Sequence, residues 1–390
     1  MSVQENDKKY IASTYNRFPV TIVSGKGSIA VDENGKKYID MGSGIGVTSF
    51  GYCDEVWQKA ITDQINLVQH TSNLYYTEPC VKLAEMLTEK TGMSKVFFSN
   101  SGAEANECAI KVARKYATEK RGKDCYNIVT LWNGFHGRTL TTLAATGQEH
   151  YHELFQPLTA GFKHVHAGDV AELKKVADPK TTAAIMIECV QGEGGVNVLP
   201  EEYVHAIEKH CKENDIVLII DEVQTGNGRT GKFYSYMNYG ITPDVVSTAK
   251  GLAGGLPMGA TILGPKVKDV LSFGDHGSTF GGNPVAAAAA VSIVKRIDNE
   301  LMDGVTQKGN LIKDFFKGDS NVEQISGMGL MVGIKPANKP AADVVKQCME
   351  NGVLCLTAKD KVRLLPPLNI SVDTLKQALN IIKSSLALSR

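Results

Sequence analysis

A chain of 390 residues, 43% hydrophobic and 22% charged, has enough apolar surface for a large buried core and room for two or three domains. Its 42 Lys and Arg balance its 42 Asp and Glu, so no bulk charge calls for nucleic acid or an anionic membrane, and the longest apolar runs, IVLII and VAAAAAVSIV, fall far short of a bilayer span. The polar start MSVQENDKKYIASTY has no secretory h-region, and eight scattered cysteines without a CxxC pair or zinc-spaced histidines read as reduced thiols of a cytoplasmic protein that binds no metal.

In chain order, residues 20–41 read as short strands joined by turns, with Asn34-Gly35 as the hairpin signal. Helical patterns follow at about 53–70 and 77–91. From residue 94 onward, short apolar runs (KVFFSN, NIVTLW, AAIMIE, IVLII, DVVSTA, GATIL) alternate with helical patterns near 103–121, 201–214 and 284–298. Fully apolar strands between amphipathic helices predict an α/β fold with a mostly parallel central sheet covered on both faces. After about residue 300 a helix, four short strands and a last helix at 372–388 predict a smaller α+β domain. The expected division is an N-terminal segment (1–50) packing with the small domain, a large cofactor-binding domain (51–300) and a C-terminal small domain (301–390).

The stretch IVLIIDEVQTGNGRTG, residues 216–231, ends a strand on two acids and a glycine cluster. Gly226, Gly228 and Gly231 spell G-x-G-x-x-G, and Asp244 lies near the distance a dinucleotide fingerprint requires. DEVQT separates the strand from the first glycine, however, and the aromatic KFYSYMNYG that follows is no sheet-packing helix, so the context fails. In α/β sheets ligands sit beyond the carboxyl ends of the strands, and both Asp221 after IVLII and Lys250 after DVVSTA stand there. A lysine among small neutral residues suits Schiff-base chemistry, because desolvation favours its neutral amine. A carboxylate opposite could keep a pyridine nitrogen protonated, as pyridoxal phosphate chemistry needs. Taken as a pair alone, Asp221 as a turn cap and Lys250 as a solvated surface residue explain the pattern as well. Ser101-Gly102-Ala103, between a strand and a helix, would add an anion site of backbone N–H groups, and with no Walker lysine anywhere its natural guest is a phosphate monoester; a serine N-cap with no ligand reads the same way.

The stretches SNSGAEANECAIKVARKY, NGFHGRTLTTLAATG, IECVQGEGG, IIDEVQTGNGRTGKF, STAKGLAGGLPMGA, HGSTFGGNPVAAAAA and VRLLPPL run in order from about residue 95 to 370. Together they resemble the class III aminotransferases of the pyridoxal-phosphate fold type I superfamily. YNRFPVTIVSGKG and GSGIGVTSFGY extend the resemblance nearly to the start. It implies that Lys250 binds the cofactor and moves the proton, that Asp221 pairs with the pyridine nitrogen, and that Gln224 reaches the ring's phenolic oxygen. Val223 and Phe135 would cover the two ring faces, and Ser101, Gly102 and Ala103 would hold the phosphate. Thr279 would complete that site in the partner subunit, which implies a homodimer with shared active sites. The resemblance also makes Arg363 the clamp for the α-carboxylate of glutamate and 2-oxoglutarate, Glu188 the residue that masks it, and Arg138 the grip on an ω-amine's distant carboxylate. Tyr15 and Ser278 are further substrate-side candidates; His136 reads equally as a site wall or a packed core residue. Within the family, FHGRT, LAATGQ and GDHGSTFGGNP look most like the acetylornithine branch, and Ile45 stands where ornithine aminotransferases carry tyrosine. The implied reaction moves the δ-amino group of N2-acetylornithine to 2-oxoglutarate in arginine biosynthesis. Succinylornithine, ornithine or 4-aminobutyrate are the alternative amines, and a 2,1-aminomutase is the alternative reaction.

Overall fold

A computed structural model describes residues 2–387; the outermost positions of the expected terminal segments, residues 1 and 388–390, and with them the last residue of the expected helix 372–388, lie outside the described residues. The chain opens with a short helix, Val3–Tyr10, and three antiparallel strands, β1 (Ile22–Lys26), β2 (Ile29–Asp32) and β3 (Lys37–Asp40). The β2–β3 turn is the one Asn34-Gly35 signals: Gly35 has φ +79°, and its N–H donates to Asp32 O at 3.0 Å. A glycine reaches that left-handed conformation without steric cost.

The large sheet uses β4 (Lys95–Ser99), β5 (Asn127–Leu131), β6 (Phe162–Val165), β7 (Thr182–Ile187), β10 (Val217–Asp221), β11 (Val245–Thr248) and β12 (Gly259–Leu263), with a small β8–β9 hairpin (Val190–Gln191, Asn197–Val198) beside it. Its order is β4-β12-β11-β10-β7-β5-β6, and only β12 runs antiparallel to its neighbours. Every residue of β7 (TAAIMI) and β10 (VLIID) is buried. Alternation divides them between two helix layers. Ile185, Ile187, Leu218 and Ile220 face Leu83, Leu87, Val204 and Ile207 of helices 78–91 and 201–213, while Ala184, Met186, Val217 and Ile219 face the helix 102–121. Truncating any one of these isoleucines to alanine costs about 2–5 kcal/mol, because the surrounding layers cannot collapse into the gap.

A second core gathers around the antiparallel sheet β13-β14-β17-β16 (Val322–Met328, Met331–Pro336, Lys361–Leu364, Leu356–Ala358) and helices 299–316, 341–350 and 372–386. Ile39 and Met41 of the N-terminal segment belong to this core, and β3 pairs in parallel with β15 (Val353–Leu354). The expected helix 53–70 is shorter, Glu55–Ile65, capped by Asp54 accepting from Trp57 N–H at 2.9 Å. Leu67 beyond its end is 80% exposed, so no core rewards another turn.

Candidate active site

Five strands of the large sheet, β4, β5, β7, β10 and β11, deliver residues to one cavity of about 560 Å³ at their carboxyl ends. Asp221 closes β10 and is 3% exposed. Its Oδ2 accepts from Asn106 Nδ2 at 2.8 Å and lies 2.8 Å from His136 Nδ1, while Oδ1 accepts from Val223 N–H at 3.0 Å. An ionised carboxylate only accepts, so Nδ1 of His136 carries the proton. Burial works against a charge on His136, but the hydrogen bond and charge of Asp221 outweigh it and raise its pKa. Glu188 follows β7, accepts from the N–H groups of Phe135 at 2.9 Å and Gly192 at 3.3 Å, and is pushed up to about 7 by burial.

Lys250 stands two residues beyond β11 with φ +43°. A side-chain-bearing residue in that region costs about 1–2 kcal/mol, a strain held by the buried Ala249 and Gly251 on either side. The side chain is half-buried because it stands in the open cavity, yet protein walls surround it. This burial, with Glu193 opposing and Arg363 assisting, lowers its pKa, which favours the neutral nucleophilic amine.

Ser101 caps the helix Gly102–Arg121, its Oγ accepting from Glu104 N–H at 3.2 Å. The first N–H groups of a helix have no intrahelical acceptor, and here Gly102 and Ala103 present theirs at the cavity wall. A Cβ on Gly102 would meet Val223 Cγ1 at 2.6 Å, so only glycine lets the helix start approach the strand end. Val223 and Phe135 also line the cavity. An anion cradle, two apolar side chains, a buried carboxylate and a desolvated lysine form the donor set that an aromatic aldehyde bearing a phosphate monoester requires.

Two arginines stand at this site differently: Arg138 lines the cavity, whereas Arg363 is not among its lining residues and meets it through Gln224. Arg363, on β17 and 3% exposed, donates from Nη1 to Glu193 Oε1 at 2.6 Å and to Gln224 Oε1 at 3.0 Å, while its buried Nε has no partner among the described residues. Here the expectation for Glu188 is corrected. Glu188 is held by the two backbone N–H groups and makes no ion pair with Arg363; Glu193, in the turn after β8, is the acid that covers Arg363. Gln224 lines the cavity; its Oε1 accepts from Arg363 and its Nε2 donates to Glu193 at 3.3 Å, which ties it to that ion pair and leaves the second N–H of the amide free of these contacts. Arg138 stands exposed at the rim, has no carboxylate partner among the described residues, and donates to Tyr151 Oη at 3.2 Å.

Tyr15, 71% exposed, also reaches the cavity wall. Thr279 and Ser278 do not. Thr279 lies exposed beside Tyr75 and Tyr76 in a separate surface hollow, and Ser278 Oγ accepts from Asn100 Nδ2 at 3.1 Å. Ile45, 40% exposed, is not among the lining residues. Asn106 escaped the sequence reading because it repeats the helical pattern of its neighbours. Glu193 stood in QGEGG, one of two acids five residues apart, with nothing to say which faced inward.

Residues 10–386 match the family model described as aminotransferase class-III. The chain is 46% identical to an acetylornithine aminotransferase of Haemophilus ducreyi over 99% of this chain and 98% of that one. It is 44% identical to the enzyme of the same name from Methanocaldococcus jannaschii, over 97% of each. Among solved structures, the ornithine aminotransferase of Toxoplasma gondii superposes with a TM-score of 0.93 at 31% identity, covering 98% of this chain and 94% of that one. An N-acetylornithine aminotransferase from Stenotrophomonas maltophilia gives 0.85 at 30% identity, covering 98% and 97%.

Proposed function

The chain belongs to the class-III aminotransferase family, and on that premise we propose that it moves the δ-amino group of N2-acetylornithine to 2-oxoglutarate, giving N-acetylglutamate 5-semialdehyde and glutamate, a step of arginine biosynthesis. The observation that carries this reading is the contrast between two arginines near Lys250: Arg363, behind the cavity-lining Gln224 and covered by Glu193, and Arg138, open at the rim. An enzyme that alternates between an ω-amine and an α-amino acid needs such a pair. The α-carboxylate of glutamate displaces Glu193 and takes the guanidinium fork of Arg363, which binds carboxylates bidentately. An ω-amine has no carboxylate near its reacting carbon, so Glu193 stays on Arg363 and Arg138 holds the distant one.

The donor set fits pyridoxal phosphate. Ser101, Gly102 and Ala103 would hold its phosphate, Val223 and Phe135 its ring faces, Asp221 its ring nitrogen and Lys250 its aldehyde carbon. When bound, the cofactor supplies an electron-withdrawing ring that accepts the electron pair left when the substrate carbon loses its proton. Asp221 keeps a proton on the ring nitrogen, and Asn106 and His136 hold that carboxylate in place from behind. Lys250 Nζ would take the proton from the amine-bearing carbon and return it to the carbon on the other side of the nitrogen, the cofactor's aldehyde carbon, work suited to its depressed pKa. The apolar walls exclude water that would hydrolyse the intermediates.

A homodimer completes the account. Leu74, Tyr75, Tyr76 and Phe280, all more than half exposed, surround Thr279 with an apolar patch suited to a second copy, which would receive the threonine at its phosphate site. Eight free cysteines accord with a cytoplasmic enzyme. The test is a comparison of kcat/KM for N-acetylornithine, N-succinylornithine, ornithine and 4-aminobutyrate with 2-oxoglutarate as acceptor. N-acetylornithine should lead, and Lys250→Ala should abolish its turnover. A faster competitor would reassign the substrate, and amine product formed without 2-oxoglutarate would replace transamination by an aminomutase.

A further inference from the structure

We infer that Tyr151 is a substrate-positioning residue, a support that holds Arg138 ready for the distal carboxylate of the ω-amine. The inference rests on the role proposed above for Arg138. Tyr151 does not line the cavity, so it acts through its neighbours. It presents two surfaces to one guanidinium: the Arg138 Cζ lies 4.6 Å from its ring centroid, and Arg138 Nη2 donates to its hydroxyl at 3.2 Å. The same ring meets Phe135 edge-on, centroids 6.2 Å apart at 72°, and Arg138 lies 5.9 Å from the Phe135 ring. Phe135, Arg138 and Tyr151 therefore form one group at the cavity mouth.

The segment that carries Tyr151 is built to stay still. Gly147 is tied to the end of β5 by Asn133 N–H donating to its carbonyl at 2.8 Å, and Gln148 Nε2 donates to Gly134 O at 3.2 Å. A single helical turn, Glu149–Tyr151, follows, with Tyr151 N–H donating to Gln148 O at 3.1 Å. Immediately after it, His152 Nε2 lies 2.9 Å from Leu143 O and 2.7 Å from Thr146 O, which pins the turn to the end of helix 140–145. An exposed arginine otherwise samples many rotamers and must give them up when it grips a ligand. Tyr151 removes part of that loss in advance, and its hydroxyl occupies one N–H while the rest of the fork remains for the carboxylate. The ring face contributes attraction that survives partial exposure to water.

The experiment uses the holoenzyme with Tyr151→Phe, which keeps the ring and loses the hydroxyl, and Tyr151→Ala, which loses both. Binding of N-acetylnorvaline, which is N-acetylornithine without its reacting amine, is measured by calorimetry. Its Kd should rise about threefold in the phenylalanine variant and about tenfold in the alanine variant, from the modest worth of an exposed hydrogen bond and an exposed cation–π contact. For N-acetylornithine the loss should appear in KM and spare kcat. N-acetylputrescine, which lacks the carboxylate, should be turned over with kcat/KM within about twofold of the wild-type value, since Arg138 has nothing to grip there. Unchanged N-acetylnorvaline binding in both variants overturns the inference. So does an equal loss for every ligand, the mark of a structural role through Phe135. If the wild-type enzyme does not use N-acetylornithine, the substrate reading fails separately, and the same variants are then judged on whichever carboxylate-bearing amine the enzyme does use.

Discussion

Replacing Glu193 by glutamine removes the charge that covers Arg363 and keeps the shape of the side chain. In the native protein the pair is short, 2.6 Å, with Arg363 4% and Glu193 27% exposed at the side chain, so water screens it little. Two unit charges about 4 Å apart attract by about 4 kcal/mol at an effective dielectric constant near 20. Part of that is offset by desolvation, and hydrogen bonds to charged groups retain a net worth of about 1.5–3 kcal/mol. Glutamate must break this contact to reach Arg363. In Glu193→Gln it need not, so its affinity should increase about tenfold to a hundredfold, at 1.4 kcal/mol per tenfold. N-acetylornithine should suffer in the other direction: an uncovered guanidinium competes for its carboxylate and holds the molecule with its δ-amine away from Lys250, lowering kcat/KM by about tenfold. Single-turnover rates for each half-reaction, followed separately with glutamate and with N-acetylornithine, read the two effects. Equal loss in both, or a larger loss with glutamate, would show that Glu193 does not mask Arg363.

Arg138→Ala should show the converse pattern, raising KM for N-acetylornithine about tenfold while leaving the glutamate half-reaction nearly intact; a larger loss with glutamate would contradict the division between the two arginines. Asn106 is 1% exposed and donates to both Asp221 Oδ2 and His136 O at 2.8 Å, so Asn106→Ala should destabilise the apoprotein by about 1–3 kcal/mol and weaken pyridoxal phosphate binding in titration, whereas unchanged stability and cofactor affinity would remove it from the support of Asp221. Glu188 titrates at about 7 in the fold against an ordinary 4.5, so the native state holds an extra proton across that window. Its contribution to stability is complete below pH 4.5 and is lost as the pH rises through 7. Each such group gives a downward slope of up to about 1.4 kcal/mol per pH unit. Glu222, pushed up to about 7 by burial, adds a second slope of the same sign. Denaturant unfolding of the apoprotein across this range should show the decline, and Glu188→Gln should shallow it; a slope unaltered in the variant would refute the assignment.

Much of the site was readable because it hangs on strand ends. IVLII and DVVSTA are recognisable as buried parallel strands from composition alone, and such strands place the residues after them, Asp221 and Lys250, in the ligand crevice. The place of Ser101-Gly102 on the cavity wall was equally legible, since a strand running into an amphipathic helix through serine and glycine brings the helix start to the carboxyl end of the sheet. What escaped was whatever depends on turns and on packing across the sheet. Whether Glu188 or Glu193 meets Arg363 is decided by the β8–β9 hairpin, which carries Glu193 in its turn, and no periodicity records that. Asn106 sits in a helix whose pattern shows only that its face is buried, not that it points at a carboxylate 115 residues away in sequence. Tyr151 carried no signal in the sequence, because what sets it apart is its contact with Arg138, thirteen residues away. The helix expected to reach residue 70 ends at Ile65, and Leu67 beyond it is 80% exposed, so the local pattern continued past the point where a core was there to reward it.

The most direct test of the account is an absorbance scan of the purified protein carrying pyridoxal phosphate, first with N-acetylornithine alone and then with 2-oxoglutarate added. The visible band of the lysine-bound cofactor should disappear with the amine, faster than with ornithine or 4-aminobutyrate, and return with the oxo acid; Lys250→Ala should show no such cycle. A band that never forms, or one that N-acetylornithine leaves unchanged while the protein is folded and loaded, would contradict the claim that Lys250 and Asp221 serve transamination of this amine.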